Sequence, residues 1–363
     1  MSFTSQEIHL TRRPEGWPVP EDFATVTVEI PDPGPEKIVV RNTFLSVDPY
    51  MRGRMNDVPS YVPPYQLDEP MEGGAIGVVE ASGSDKFAVG THVLHNDGWR
   101  EYSLVDAAAA RAVDPSVVPS TSLYLGGLGM PALTAYVGLL DYASLKPGDT
   151  VFVSGAAGAV GQAAGQIARL KGAKRVIGSA GSQEKIDFLV NDLGYDAAFN
   201  YRDGSVNRQL RQAAPDGVDV YFDNVGGDHL EAAIGAMNLH GRITMCGAIA
   251  QYNATEPPAA PRNLALFIGK RLTMRGMLVL DDFQRMPAFV SDVSGWLASG
   301  DYVARETVVD GIDHTVDAFL GMLRGENVGK MVVKVLGNWS PKATDCWPLG
   351  IFCDPIRCDM CMC

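Results

Sequence analysis

The run Gly155-Ala156-Ala157-Gly158-Ala159-Val160-Gly161 constrains this chain more than any other feature. It follows residues 150–154, an apolar stretch that reads as a buried strand, and leads into 162–171, whose apolar stripe reads as a helix. A strand, a glycine turn and a helix N-terminus in that order make a seat for a pyrophosphate. Small residues let backbone approach the anion, and free N–H groups at the helix start point at it. Ala156 stands at the first glycine position of the full G-x-G-x-x-G pattern, so the strand-to-helix context carries the reading.

The same texture continues downstream. Strand-like runs at 150–154, 175–180, 197–201, 218–222, 242–246 and 272–278 alternate with helical patterns at 160–171, 184–192, 206–213, 228–237 and 262–270. Such alternation predicts a doubly wound parallel sheet, and six strands are what a complete dinucleotide-binding (Rossmann) fold requires. The earlier part differs. Short strand-like runs at 26–30, 37–44, 73–81 and 92–94, broken by Pro and Gly, predict a mostly β, barrel-like domain. A helix is expected at 282–298, and short strands at 307–309 and 330–335 are expected to return to the first domain. The chain thus reads as α/β: a mostly β substrate domain at 1–126, a nucleotide domain at 127–300, a C-terminal return at 301–336, and a tail at 337–363 outside the fold.

Composition narrows the function classes. A formal net charge of −13 disfavours nucleic acid and anionic membranes as partners, because phosphate binding needs a basic face. No stretch approaches the ~20 apolar residues of a membrane span. Residues 1–17 carry charges of both signs and no apolar core of a secretory signal, so a cytoplasmic location is expected. Cys246 stands alone in the body of the chain, whereas Cys346, Cys353, Cys358, Cys361 and Cys363 crowd the tail. A disulfide framework or structural zinc lobe within the main fold is therefore excluded, and the tail lacks the paired CxxC pattern of zinc sites.

The positions about twenty residues past the glycine turn select the dinucleotide. An acid there would bind the ribose 2′-hydroxyl of NAD, but here stand Gly181 and Ser182. Lys185, one turn into the next helix, and Tyr201, ending the third strand, can hold a 2′-phosphate by charge-assisted hydrogen bonds. NADPH/NADP+ is the expected cofactor, with Glu184 facing away as a first-turn acid. The alternative is that Lys185 is an ordinary surface lysine.

The first domain supplies a family resemblance. Leu45-Ser46-Val47-Asp48-Pro49-Tyr50-Met51-Arg52-Gly53-Arg54-Met55 closely resembles the signature of a zinc-independent branch of the medium-chain dehydrogenases/reductases, which holds prostaglandin reductases, alkenal double-bond reductases and curcumin reductases. Tyr61-Val62-Pro63-Pro64-Tyr65, Met71-Glu72-Gly73-Gly74, the run from Gly129 to Tyr136, Phe222-Asp223-Asn224-Val225-Gly226-Gly227 and Cys246-Gly247-Ala248-Ile249 fit the same branch. The resemblance spans residues 5 to 335 and implies a GroES-like first domain. Zinc-dependent relatives carry a cysteine near Val47-Asp48 and a Gly-His-Glu near 71–73. This chain has neither, and no cysteine precedes Cys246. A catalytic zinc needs three protein ligands, so no metal is expected on residue supply alone.

Site roles follow from the resemblance. Ala157, Gly158, Ala159, Val160 and Gly161 would hold the pyrophosphate, and Gly181, Ser182, Lys185 and Tyr201 the 2′-phosphate. Asn224 would lie near the nicotinamide ribose, or simply serve the turn after the fourth strand. Asn327 would contact the cofactor from the C-terminal segment. Met130 and Thr134 would pack on the nicotinamide, or belong to a helix core. Cys246 reads as a small buried residue whose backbone touches the cofactor. Tyr50 and Tyr65 would face the substrate, or bond to backbone as structural tyrosines. Tyr252, on a Pro-rich loop at 250–261, would assist the substrate oxygen, or stand exposed on a mobile loop.

The expected reaction is hydride transfer from NADPH to the β-carbon of an α,β-unsaturated aldehyde or ketone. The enolate charge would be held by Tyr252, whose phenol stays protonated at neutral pH, and by the nicotinamide ribose hydroxyl. The α-carbon would take its proton from water. Tyr50, Tyr61, Tyr65 and Tyr252 suggest an aromatic cleft for extended enones. A quinone oxidoreductase of the same superfamily and a catalytically silent nucleotide-binding scaffold are the alternatives. His229, His240 and His314 form no nucleophile–base spacing, so hydrolase chemistry has no support. A homodimer is expected through the apolar strand at 272–280, whose edge would otherwise invite aggregation.

Overall fold

The structure, a computed structural model, describes residues 3–335. The tail expected at 337–363 lies outside the described residues.

Thr150–Val153 is buried along its whole length and forms the centre of a six-stranded parallel sheet. From one edge to the other the strands run Ala197–Asn200, Arg175–Ala180, Thr150–Val153, Val218–Asp223, Met237–Met245 and Thr273–Gly276. The chain order therefore reverses at the central strand, the doubly wound arrangement that opens a crevice beyond the carboxyl ends. A parallel sheet covered on both faces needs strands apolar on both faces, and this one has them. Val151 and Val153 pack with Ala163, Ala164 and Ile167 of the helix Ala159–Leu170, and with Phe289 and Val293 of the helix Met286–Ser299. Phe152 points the other way, stacking on Tyr221 at 4.9 Å and joining Leu210, Leu230 and Ile243.

Three expected helices come out differently. The helix expected at 184–192 is Gln183–Asp187 running into a π-helical turn, Phe188–Asp192. The helix expected at 262–270 is only Leu266–Lys270. Arg262 N and its guanidinium bind Glu231, and Asn263 Nδ2 donates to the Glu231 carbonyl, so this stretch is spent on the neighbouring helix Gly227–Ala236. The helix expected at 282–298 splits into a 3-10 segment, Val279–Arg285, and Met286–Ser299. Inside the first piece Asp282 leaves the helical backbone (φ −123°), and Pro287 sits in the first turn of the second piece, where its missing N–H costs nothing.

The remaining strands build a seven-stranded, mostly antiparallel sheet around Lys37–Ser46 and a three-stranded sheet of Phe23–Ile30, Phe3–Leu10 and Glu69–Pro70. Two register shifts in the pairing of Lys37–Ser46 with Ala75–Ser82 bend the larger sheet. Lys330–Lys334 lies antiparallel to Lys37–Ser46, with Val332 opposite Ser46, and Glu306–Asp310 runs parallel beside it. The late chain thereby returns to the early strands. The helix Thr315–Leu323 closes this side, its Phe319 set edge-on to Trp99 at 5.8 Å.

Candidate active site

A cleft of about 2670 Å³ runs along the carboxyl ends of the parallel strands and under the first-domain motifs. Pockets for one small molecule measure roughly 300–1,000 Å³, so a dinucleotide and a substrate fit together. Gly155, Gly181, Asn224 and Cys246 each follow the end of a parallel strand and line it, facing Tyr50, Tyr61 and Tyr65.

The glycine turn is built for close backbone approach. Gly155 has φ +58°, and a Cβ on Gly161 would strike the Gly155 carbonyl and lie 2.6 Å from Ala156 Cα. Ala156 replaces the first glycine because its methyl has been given room. A Cβ on Gly178 of the next strand would sit 2.9 Å from it, and Ala156 N donates to the Ser179 carbonyl at 2.9 Å. Ala157, Gly158, Ala159, Val160 and Gly161 all line the cleft, and no side chain caps the helix that starts at Ala159. Its first N–H groups stay available to an anion.

Two asparagines are partly spent on shaping their turns. Asn224 Nδ2 donates to the Ser154 carbonyl at 2.8 Å, and Asn327 Nδ2 to the Gly329 carbonyl at 2.7 Å. Gly329 N donates to the Ala157 carbonyl at 2.8 Å, which fastens the C-terminal segment to the glycine turn. Asp223, which in sequence is only one member of the 222–227 motif, organises the turn after the fourth strand. Its Oδ1 accepts from Tyr221 Oη, Val225 N and Gly226 N at 2.6, 2.9 and 2.8 Å.

At the other end of the cleft, Gly181, Lys185 and Tyr201 come together. The Tyr201 hydroxyl lies 2.8 Å from where a Gly181 Cβ would stand, so the missing side chain makes space for it. Lys185 is half-buried and its Nζ donates to the Gly325 carbonyl at 2.6 Å. Burial, and then the neighbouring Arg202, lower its pKa. Arg202 also lines this end and was missed in the sequence, although a cation directly after Tyr201 was visible there. Ser182 does not line the cleft. Its hydroxyl caps the helix Gln183–Asp187 by accepting from Lys185 N at 3.4 Å, and Glu184 is exposed.

The tyrosines divide. Tyr65 is buried, its hydroxyl donates to the Glu72 carbonyl at 2.7 Å, and the Arg54 guanidinium covers its ring at 4.1 Å. Its phenol is committed to the fold, which is the structural alternative to a substrate donor. Tyr50, at the start of the helix Tyr50–Arg54, has no hydroxyl partner among the described residues, and burial and Asp48 push its pKa well up. Tyr252 follows the turn Ile249–Gln251. Its hydroxyl accepts from Ala248 N at 3.3 Å, which leaves its proton to donate, and burial raises its pKa. Both phenols therefore stay protonated at neutral pH. Met130 and Thr134 line the cleft from the helix Met130–Val137, where Thr134 Oγ1 donates back to the Met130 carbonyl at 2.8 Å. Burial and then Asp223 push the Cys246 thiol up to about 12, which keeps it from acting as a thiolate nucleophile.

The family model described as the N-terminal domain of oxidoreductase matches residues 6–113, and the one described as zinc-binding dehydrogenase matches 159–294. The NADPH-dependent curcumin reductase of Escherichia coli is 38% identical over 91% of this chain and 96% of its own. The NADP(+)-dependent 2-alkenal reductase of Nicotiana tabacum is 40% identical over 92% and 98%. This chain belongs to the zinc-independent medium-chain dehydrogenases/reductases, in the branch of those reductases. The solved structure of CurA from Vibrio vulnificus in complex with NADPH superposes with a TM-score of 0.86, at 42% identity over 91% of this chain and 99% of that one. Despite the second model's name, no group of three or more His, Cys, Asp or Glu among the described residues is placed to share a metal ion.

Proposed function

We propose that this protein reduces the C=C bond of α,β-unsaturated aldehydes and ketones at the expense of NADPH. The observation that carries the reading is one continuous cleft. It joins an anion seat without a side-chain cap, a cationic end at Lys185 and Arg202 with Gly181 rather than an acid at the end of the second strand, and two protonated phenols, Tyr50 and Tyr252. The Gly161 cradle, which a single methyl would fill, fits a pyrophosphate. Residues 157–161 would hold that group, Lys185, Tyr201 and Arg202 the 2′-phosphate, and Asn224, Met130, Thr134 and Asn327 the nicotinamide end.

The bound cofactor would supply a hydride to the β-carbon. The chain's task is then electrostatic. Negative charge gathers on the substrate's carbonyl oxygen, and Tyr252 donates a hydrogen bond to it from a site fixed beforehand. Tyr50 would bound the substrate on the opposite wall, with Tyr61 beside it. The names of the curcumin and alkenal reductases support a conjugated carbonyl as the substrate class. A panel of enones and quinones, followed by loss of NADPH or NADH absorbance, tests the reading. Turnover of enones with NADPH favoured over NADH is expected. Turnover of quinones alone, or NADPH binding without turnover, would overturn it.

A further inference from the structure

Arg52 lies two residues after Tyr50 in the same short helix and is only 2% exposed. Among the described residues no carboxylate lies within ion-pair distance of it; the Asp22 charge acts on it only from further off, and all its hydrogen bonds go to neutral acceptors. Nη2 donates to the Gly16 carbonyl at 2.7 Å and the Pro14 carbonyl at 3.4 Å, and Nη1 to Asn56 Oδ1 at 2.9 Å. Nε donates to the Gly16 carbonyl at 3.2 Å and to Asn253 Oδ1 at 3.0 Å. A buried guanidinium with no directly bonded carboxylate is costly, and it persists where its rigid fork of donors joins several segments at once. Three meet here: residues 14–16, the helix that carries Tyr50, and the loop that carries Tyr252.

The bond to Asn253 is the one side-chain hydrogen bond, among the described residues, between 252–261 and the first 126 residues. It is backed by packing. A Cβ on Gly16 (φ +73°) would stand 3.2 Å from Thr255 Cγ2, so the loop rests directly on this turn. We infer that Arg52 is a positioning residue that clasps Asn253 and thereby holds Tyr252 in place across the cleft from the wall bearing Tyr50. The kinetic consequence rests on the reductase reading above; the clasp itself does not.

The test is Asn253→Ala beside Asn253→Asp in the full chain. Both leave Arg52 its other acceptors, and the aspartate keeps an oxygen for its Nε. Hydrogen–deuterium exchange over 249–256 is measured together with kcat and KM on the best enone. Asn253→Ala is expected to speed exchange in that segment and to lower kcat about tenfold, since small displacements of a reacting group carry costs of that order or larger. Its KM for NADPH should stay close to the parent's. Asn253→Asp is expected to restore both the slow exchange and kcat. Unchanged exchange and kcat in Asn253→Ala would overturn the inference, as would an Asn253→Asp variant as impaired as the alanine. If the parent turns over no enone, the reductase reading fails, and the exchange comparison alone still decides the clasp.

Discussion

Lys330 Nζ lies 3.1 Å from Asp48 Oδ1, with the two side chains 1% and 9% exposed. The ammonium also donates to the Val47 carbonyl at 2.6 Å and the Met331 carbonyl at 2.8 Å, while Ser46 Oγ donates to the other carboxylate oxygen. The pair bolts the returning strand to the segment just before Tyr50. Breaking a buried pair from one side strands a charge, which costs about 3–5 kcal/mol, whereas removing both charges together costs far less. Lys330→Met should therefore lower stability in urea by that amount, and Lys330→Met with Asp48→Leu should regain most of it. Additive losses in the double variant would contradict this.

Acid sensitivity is expected from His95. It is buried, its Nε2 is 2.9 Å from Asn42 Oδ1, and its Nδ1 accepts from Asp97 N at 3.1 Å. Burial first, and Arg100 second, lower its pKa from 6.5 to about 3. On acidification the unfolded chain takes the proton first. The stabilisation is complete above the unfolded pKa and is lost as pH falls from 6.5 towards 3, at up to about 1.4 kcal/mol per pH unit. His95→Gln keeps an N–H donor without the titration, so its urea midpoint should fall less between pH 7 and pH 5 than the parent's. Equal falls would refute the assignment.

The cofactor's 2′-phosphate gives a sharper test of the cleft's cationic end. A charge-assisted hydrogen bond contributes about 1.5–3 kcal/mol, or roughly ten- to a hundredfold in affinity. Lys185→Ala and Arg202→Ala should each raise KM for NADPH within that range and leave NADH kinetics nearly unchanged. A parallel loss with both cofactors would mean that these residues only support the fold.

What the sequence displayed and what it hid have a common physical cause. The central strand and the glycine turn are local patterns, and the structure has the strand, turn and helix in the expected order. Gly178, which makes room for Ala156, is an ordinary strand glycine in sequence and acquires meaning only through register. Arg52 reaches Asn253 across 201 positions, and Lys330 reaches Val47 across 283, so no window contains both partners. Tyr65 and Tyr50 look alike in the chain, yet only one finds a backbone carbonyl for its hydroxyl. Ser182 was legible as a helix cap, since a serine before Gln183-Glu184 is a start signal, and that use competes with phosphate binding.

Tyr252→Phe removes the proposed enolate donor and nothing else of the ring. Loss of an oxyanion donor costs about 100- to 1000-fold in kcat where it acts alone. The nicotinamide ribose hydroxyl would remain as a second donor, so a loss nearer tenfold is expected, with KM for NADPH unchanged. The Ala248 N–H that Tyr252 now accepts would lose its partner, and a small fall in melting temperature should accompany it. An unchanged kcat at saturating enone would remove Tyr252 from the chemistry.

The last parallel strand, Thr273–Gly276, is exposed at all four positions and has a neighbour on one side only. Such an edge offers unpaired N–H and C=O groups to another strand. Ile268, 82% exposed, and Met274, 39% exposed, give apolar side chains on or beside it. A second copy of this chain is the proposed cover, edge to edge, because pairing of two copies would satisfy both rows at once. Light scattering should then give a dimer, and Met274→Lys with Ile268→Glu should shift it to monomer without loss of NADPH binding. A parent that scatters as a monomer at every concentration would rule the dimer out and leave this edge protected only by its shortness.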